Sequence, residues 1–292
     1  MAKIKCWIEA IRLRTLPVSS AGVVLATGYA IHYGSFRWLP AALCFIFALL
    51  AQIASNFANE YYDFKNGSDK KGREGFRRGV TEGDISPQAM KTATFLTLVL
   101  AGIVGCCLIP FGGWKLVPIG IAIAVFALAY SAGPFPLSRV GLGDVAVLIF
   151  FGLVPVCLTF YIQTGYIPGE VVMASIAVGL LGTNVLIVNN YRDMEDDREA
   201  GKRTTVVRFG RTAASWAYLS FGLVAVALTV PACTDGPCPP CPAIAPAVYL
   251  LLHFITWRRI RRSRGAALNP LLGATARNML VYSLLLFAIS IF

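Results

Sequence analysis

Histidine is almost missing from this sequence. The 292 residues contain two, His32 and His253, and both lie in apolar runs away from the acidic clusters described below. A Ser–His–Asp triad and an HExxH zinc helix are therefore unsupported. No Walker-type or GxGxxG glycine loop is present, so ATP-driven and nicotinamide chemistry are not indicated. Charge is scarce as well: 14% of residues are charged and 57% are hydrophobic, which is far too apolar for an ordinary soluble domain. Strand-like alternation is absent, which argues against a membrane β-barrel. No linker interrupts the chain, so residues 1–292 read as a single domain.

What is present is a series of apolar stretches long enough to cross a bilayer as helix. Nine are counted, at about 16–34, 38–62, 92–110, 115–131, 142–163, 170–191, 213–231, 243–257 and 275–292. Their scattered Gly and Pro residues are tolerated in membrane helices. The expected fold is all-α: a multi-span integral membrane bundle of nine transmembrane helices. Ahead of the first, Ile4, Trp7, Ile8 and Ile11 recur at helical spacing among Lys3, Lys5, Glu9 and Arg12, the pattern of an interfacial helix. Arg12 and Arg14 come too late for a cleaved signal peptide; their simplest role is anchoring, and a place near an anionic ligand is the alternative. With a cytoplasmic N-terminus, all of the 26 Lys and Arg residues except Arg37 and Lys115 fall on the cytoplasmic side. The net charge of +11 thus reads as topology and contact with acidic lipid, not nucleic-acid binding.

Acidic residues are few, and they are concentrated. Of fifteen, five fall between Asp193 and Glu199, directly after an uncharged run. On a continuing helix Asn189, Asp193 and Asp197 share one face, where carboxylates a turn apart repel unless a cation lies between them. Asn59 and Asp63 repeat the same spacing at the end of the second apolar stretch, and Asp69 follows. Asp oxygens suit Mg²⁺. Around the two clusters lie the cations of the 65–88 loop (Lys70, Lys71, Arg73, Arg77, Arg78) and Lys202 and Arg203. The clusters look like two halves of one site at the cytoplasmic ends of the second and sixth spans. Two classes of protein fit: an ion-coupled transporter, and an enzyme that holds a lipid diphosphate through Asp–Mg²⁺ bridges. A position at helix ends beside many cations favours the enzyme. Cys6, Cys44, Cys106, Cys107 and Cys157 read as small apolar residues. Cys233, Cys238 and Cys241 crowd one outer loop, where a disulfide and a weak metal site are both open readings.

Asn59-Glu60-x-x-Asp63 with Asp69, paired with Asp193-x-x-x-Asp197, resembles the two Asp-rich motifs of UbiA-type intramembrane prenyltransferases. Leu13-Arg14-Thr15-Leu16-Pro17, Gly133-Pro134-Phe135-Pro136-Leu137, Gly141-Leu142-Gly143-Asp144, Asn190-Tyr191-Arg192-Asp193 and Asn269-Pro270-Leu271-Leu272-Gly273 look like the 1,4-dihydroxy-2-naphthoate branch. Glu60, where the broad pattern has Asp, and the six-residue step to Asp69 depart from that pattern. The resemblance implies a nine-helix membrane enzyme that transfers a polyprenyl group from its diphosphate to an aromatic acid, with loss of CO₂. It implies Mg²⁺ held by Asp63, Asp69, Asp193 and Asp197, with Asn59 and Asn189 assisting. Lys202, Arg203 and Arg73 would neutralise the diphosphate, and Tyr130 and Arg139 are assigned to the acceptor's pocket. 4-Hydroxybenzoate is the alternative acceptor. A site facing the cytoplasm from a bacterial inner membrane follows; tail length and oligomeric state do not.

Overall fold

The computed structural model describes residues 2–234 and 241–291, and among them every regular element is helical. An interfacial helix α1 (Ala2–Ile11) leads into α2 (Leu16–His32) and α3 (Trp38–Lys65). A short α4 (Gly79–Glu82) lies within the following loop, ahead of α5 (Pro87–Gly112) and α6 (Leu116–Ala129). After α7 (Leu137–Val140), α8 (Gly143–Val147), a π-helical turn (Leu148–Leu153) and α9 (Val154–Thr164) form one continuous rod. Then come α10 (Gly169–Arg192), α11 (Met194–Glu199), α12 (Thr205–Thr234), α13 (Cys241–Arg262) and α14 (Asn269–Ile291).

Among the described residues six helices are long and apolar enough to cross a membrane; α2 and α6 are apolar but shorter, at 17 and 14 residues. The helix α13 ends in Arg258, Arg259, Arg261 and Arg262. Large apolar side chains such as Trp38, Phe95, Ile121 and Leu251 face outward on these helices. Such an apolar exterior is stable only against lipid. On α1, Ile4 and Ile8 are exposed while Trp7 sits edge-on against Phe57 of α3, as the interfacial pattern requires. The disulfide and metal readings of Cys233, Cys238 and Cys241 fall on side chains outside those described.

The axis of the bundle is α10, apolar on nearly all sides and packed against α12, α14, α2 and the π-helical turn. Its closest partner is set by two glycines. A Cβ on Gly152 would lie 2.5 Å from Gly179 Cα, so side-chain atoms at either position are excluded and the two backbones touch. The π turn that permits this approach also sets the heading of Val147 and Phe151, which reappear below as walls of the site.

The ends of α3 and α10 arrive side by side under the 65–88 loop. That loop is tied down at several points. The Val80 N–H donates to Glu60 Oε1 at 3.1 Å, Asn269 Nδ2 donates to the Glu74 carbonyl at 3.1 Å, and Lys70 pairs with Glu199. Phe76 is held between the guanidinium groups of Arg14 and Arg192, 4.4 and 5.3 Å from its ring centroid.

Candidate active site

The two acidic clusters, far apart in sequence, meet around one polar chamber of about 180 Å³. Asn59 and Asp63 enter it from the last turns of α3. Asn189 and Asp193 enter from the end of α10, and Asp197 and Lys202 from α11 and the turn after it. All four helix-end carboxylates, those of Glu60, Asp63, Asp193 and Asp197, are buried. Two cations join the halves. Arg73 pairs with Asp69 and, at 2.8 Å, with Asp193. Lys202 lies 3.2 Å from Asp197 Oδ1 and 3.9 Å from Asp63 Oδ2.

Burial pushes the Asp69 carboxyl up to about 6 even with Arg73 beside it. Burial also raises Asp197 against the pull of Lys202. Asp193 goes the other way: burial favours its neutral form, but the hydrogen bonds and charge of Arg192, with Arg73 and Lys202, outweigh it. Lys202 is likewise held above its usual range, because Asp63, Asp197 and Asp69 together exceed the effect of burial.

Among the described residues no three His, Cys, Asp or Glu side chains converge tightly enough to cage a metal by themselves. The donor set nevertheless fits Mg²⁺. That ion takes one or two carboxylates and completes its shell with water and substrate phosphates, and the carboxylates here lie on opposite sides of one chamber. Asp69 Oδ2 is buried without a hydrogen bond, 3.3 Å from Arg78 Nε, so it retains a free lone pair.

Of the residues singled out from sequence, Asn59, Asp63, Arg73, Tyr130, Asn189, Asp193, Asp197 and Lys202 line the chamber. Asp69 stands behind Arg73 and Arg78. Arg139 and Arg203 are not brought in. They line a separate surface cleft with Arg208, where Arg139 Nη2 donates to the Ala200 carbonyl at 2.7 Å and the Arg203 N–H donates to the Arg139 carbonyl at 2.7 Å. Their geometry clamps α7 onto the turn after α11. A φ of 86° at Gly141 makes that approach possible: a Cβ there would meet the Arg203 carbonyl at 2.6 Å.

In and beside the chamber stand further residues not assigned to it from sequence. Arg12, read first as an anchor and alternatively as lying near an anionic ligand, donates to Asn59 Oδ1 and is the one non-glycine residue with positive φ (60°) among those described. Such a conformation costs about 1–3 kcal/mol and persists where surroundings enforce it. Arg78 also donates to Asn59 Oδ1, at 3.1 Å, and Ser131 accepts from Asn59 Nδ2 at 3.0 Å. Asp144 was visible only as part of a loop motif. An Arg–Thr–Leu–Pro break before the first apolar run was the available signal for Arg12; Arg78 was visible only as one of several cations in the 65–88 loop, and nothing local marks Ser131.

Gln52, Ser55, Tyr130, Val147 and Phe151 border both this chamber and an apolar groove of about 370 Å³. The groove runs between α3, α5, α6 and α9 over Phe47, Leu98, Ile123 and Phe150. The polar chamber thus adjoins the apolar groove directly.

Fold and site together define an intramembrane enzyme of prenyl transfer: the sequence matches the UbiA prenyltransferase family over residues 21–291, and the chain belongs to that family. It is 39% identical over 222 residues to the 1,4-dihydroxy-2-naphthoate octaprenyltransferase of Escherichia coli, covering 73% of this chain and 71% of that protein. The protein of that name from Mycobacterium tuberculosis is 33% identical over 293 residues, covering 97% and 96%. In fold the chain is similar to a UbiA homologue from Aeropyrum pernix K1, with a TM-score of 0.70 at 15% identity over 93% of this chain and 96% of that one. An Archaeoglobus fulgidus homologue, bound to DMAPP and Mg²⁺, gives 0.64 at 17% identity over 94% and 98%.

Proposed function

We propose that this enzyme transfers a polyprenyl group from its diphosphate to 1,4-dihydroxy-2-naphthoate, with loss of the ring carboxylate as CO₂, giving the prenylated naphthohydroquinone, the reduced form of demethylmenaquinone. The observation that carries the reading is the continuity of the Asp- and cation-lined chamber with the apolar groove. The relatives named for the naphthoate reaction support the choice of acceptor.

Mg²⁺, held by Asp63, Asp69, Asp193 and Asp197, would supply Lewis-acid stabilisation of the departing diphosphate. The chain's own groups do the rest. Arg73 and Lys202 already stand between the two acidic clusters and turn their N–H donors to the phosphate oxygens as the allylic C–O bond weakens. Arg12 and Arg78, both anchored on Asn59, reinforce that side of the chamber. Phe47, Phe150 and Phe151 keep water from the developing allylic cation while the tail lies along the groove.

The same reading takes 1–292 as one domain of nine spans in a bacterial inner membrane, with the site facing the cytoplasm, supported by the placement of Lys and Arg. Single cysteines introduced at Lys70 and Lys115 test the orientation. An impermeant thiol reagent applied from the cytoplasmic side should label position 70 alone; the reverse pattern rejects it.

The activity test uses purified protein in detergent with octaprenyl diphosphate, Mg²⁺ and the naphthoate. Prenylated product and diphosphate should appear in equal amounts, stop with EDTA and return with Mg²⁺. Release of neither, or product from 4-hydroxybenzoate alone, overturns the assignment.

A further inference from the structure

Asp144 differs from every other acid in the chamber. Asp63, Asp193 and Asp197 each have a Lys or Arg partner; among the described residues Asp144 has no ion pair. Its Oδ1 is buried without a hydrogen bond, and Thr205 is a hydroxyl neighbour on the same chamber wall. Ser138, six residues earlier on the same chamber wall, also has a buried hydroxyl with no partner. The Tyr130 hydroxyl lies close by: a Cβ on Gly143 would be 3.6 Å from it. One short stretch, from the start of α7 to the start of α8, therefore presents two unsatisfied polar atoms. Asp144 is half-buried, but an enclosed carboxylate oxygen with neither a cation nor a hydrogen-bond donor is costly and is rarely left without a compensating ligand.

Position strengthens the point. Val147, one turn beyond Asp144, borders both the polar chamber and the apolar groove. Asp144 thus lies near the junction where the reacting carbon of a prenyl diphosphate must sit, away from the cations that receive the phosphates. A lone carboxylate does not recruit an anion. It recruits a proton donor, and a hydroxyarene is one.

We infer that Asp144 is the catalytic base for the aromatic acceptor, taking its ring hydroxyl proton while Ser138 and Tyr130 hydrogen-bond the acceptor's oxygens and Thr205 orients the carboxyl. This rests on the reading of the site as an aromatic prenyltransferase. In the step, the O–H proton moves to Asp144 as the adjacent ring carbon, the one that bears the carboxylate, forms its bond to the allylic carbon, and diphosphate leaves with the electron pair of the broken C–O bond. Loss of CO₂ from the alkylated ring returns an electron pair to that oxygen, which takes the proton back from Asp144. No net proton is consumed.

The test compares two fates of the prenyl group in purified full-length protein with Mg²⁺ and octaprenyl diphosphate: capture by the naphthoate or 4-hydroxybenzoate, and slow capture by water to the alcohol. Asp144→Asn should lower arene kcat by about 10²–10⁴-fold. Its KM for the diphosphate and its rate of alcohol formation should stay within about threefold of wild type. Hydroxyarenes of lower hydroxyl pKa should lose less, which a merely structural defect would not produce. Thr205→Val, which leaves the base in place but unoriented, should show a smaller loss in the same channel and serves if Asp144→Asn does not fold. Arene turnover of either folded variant close to wild type, or equal loss of both channels in Thr205→Val, overturns the inference alone. A wild-type enzyme that prenylates no hydroxyarene overturns the proposed function and this inference with it.

Discussion

Lowering the pH should strengthen the metal-free protein and weaken its hold on Mg²⁺ at the same time, and both effects should trace to Asp69. Its side chain is 3% exposed, and burial raises its pKa from 3.8 to about 6. A carboxyl whose folded pKa lies above its unfolded one binds more protons in the folded state across that window. Stability therefore falls as pH rises from about 4 to about 6, and the loss is complete above it. Between pH 7 and pH 5 the folded state regains about 1.3 kcal/mol, which for a chain of this size is a rise of about 3 °C in Tm. Asp197, also raised by burial, acts in the same direction; Asp193, held low by Arg192, stays ionised throughout. A coordinating carboxylate must first lose its proton, so the affinity for Mg²⁺ with inorganic diphosphate should drop about tenfold from pH 7 to pH 5 through Asp69 alone. Thermal unfolding in detergent, with and without Mg²⁺ and diphosphate, measures both quantities. Asp69→Asn is the control that removes the protonation of the ligand itself from the comparison. If the variant keeps the wild-type pH slope in both quantities, Asp69 is not the titrating group and the reasoning fails.

Asp63→Asn and Asp193→Asn should each lower kcat by about 10²–10³-fold while the protein stays folded and inserted; near-normal turnover at saturating Mg²⁺ would remove these residues from the site. Arg73→Ala should have an effect of similar size, because it bridges Asp69 and Asp193, whereas Arg203→Ala should leave turnover close to wild type. Steady-state kinetics of the pair decides between a role set by the chamber and one set by charge alone. Gly222→Ala should destabilise the second half of the bundle by about 1–3 kcal/mol, because a Cβ there would lie 2.2 Å from buried His253 Nε2. An unchanged Tm would show that α13 can shift to make room.

The membrane class and the acidic half of the site were legible because both are written locally. Apolar runs follow from composition, and Asn59/Asp63 and Asn189/Asp193/Asp197 share helix faces by spacing alone. The cationic half was legible only in part. Arg73 and Lys202 follow their acidic clusters closely and were found, but Arg12 reaches Asn59 across 47 residues, through a backbone turn that no periodicity reveals. Arg139 and Arg203 show the converse. Both adjoin the right motifs, but they line a separate cleft, where a backbone hydrogen bond joins their loops and the Arg139 guanidinium binds the Ala200 carbonyl. The count of nine spans rests on the same local reasoning. Among the described residues six helices meet the length and hydropathy of a span outright, while α2 and α6 are shorter, so their depth depends on tilt and on neighbours that composition does not encode.

The balance of charge inside the chamber explains why a chain so poor in acid concentrates it here. Glu60, Asp63, Asp69, Asp193 and Asp197 are matched by Arg12, Arg73, Arg78, Arg192 and Lys202, all in or beside one cavity. Acids alone at this depth would be protonated, and cations alone would bind any phosphate and release it slowly. Interleaved, they leave the chain near neutrality and hold one another in place. A substrate that arrives with Mg²⁺ brings cation and anion together, so the carboxylates and the basic groups can each exchange an internal partner for an external one. Diphosphate alone would satisfy the bases and leave the acids facing each other, and Mg²⁺ alone would do the reverse. The arrangement therefore favours the pair over either component, and binding of inorganic diphosphate should be at least tenfold tighter with Mg²⁺ than without it, a difference of about 1.4 kcal/mol.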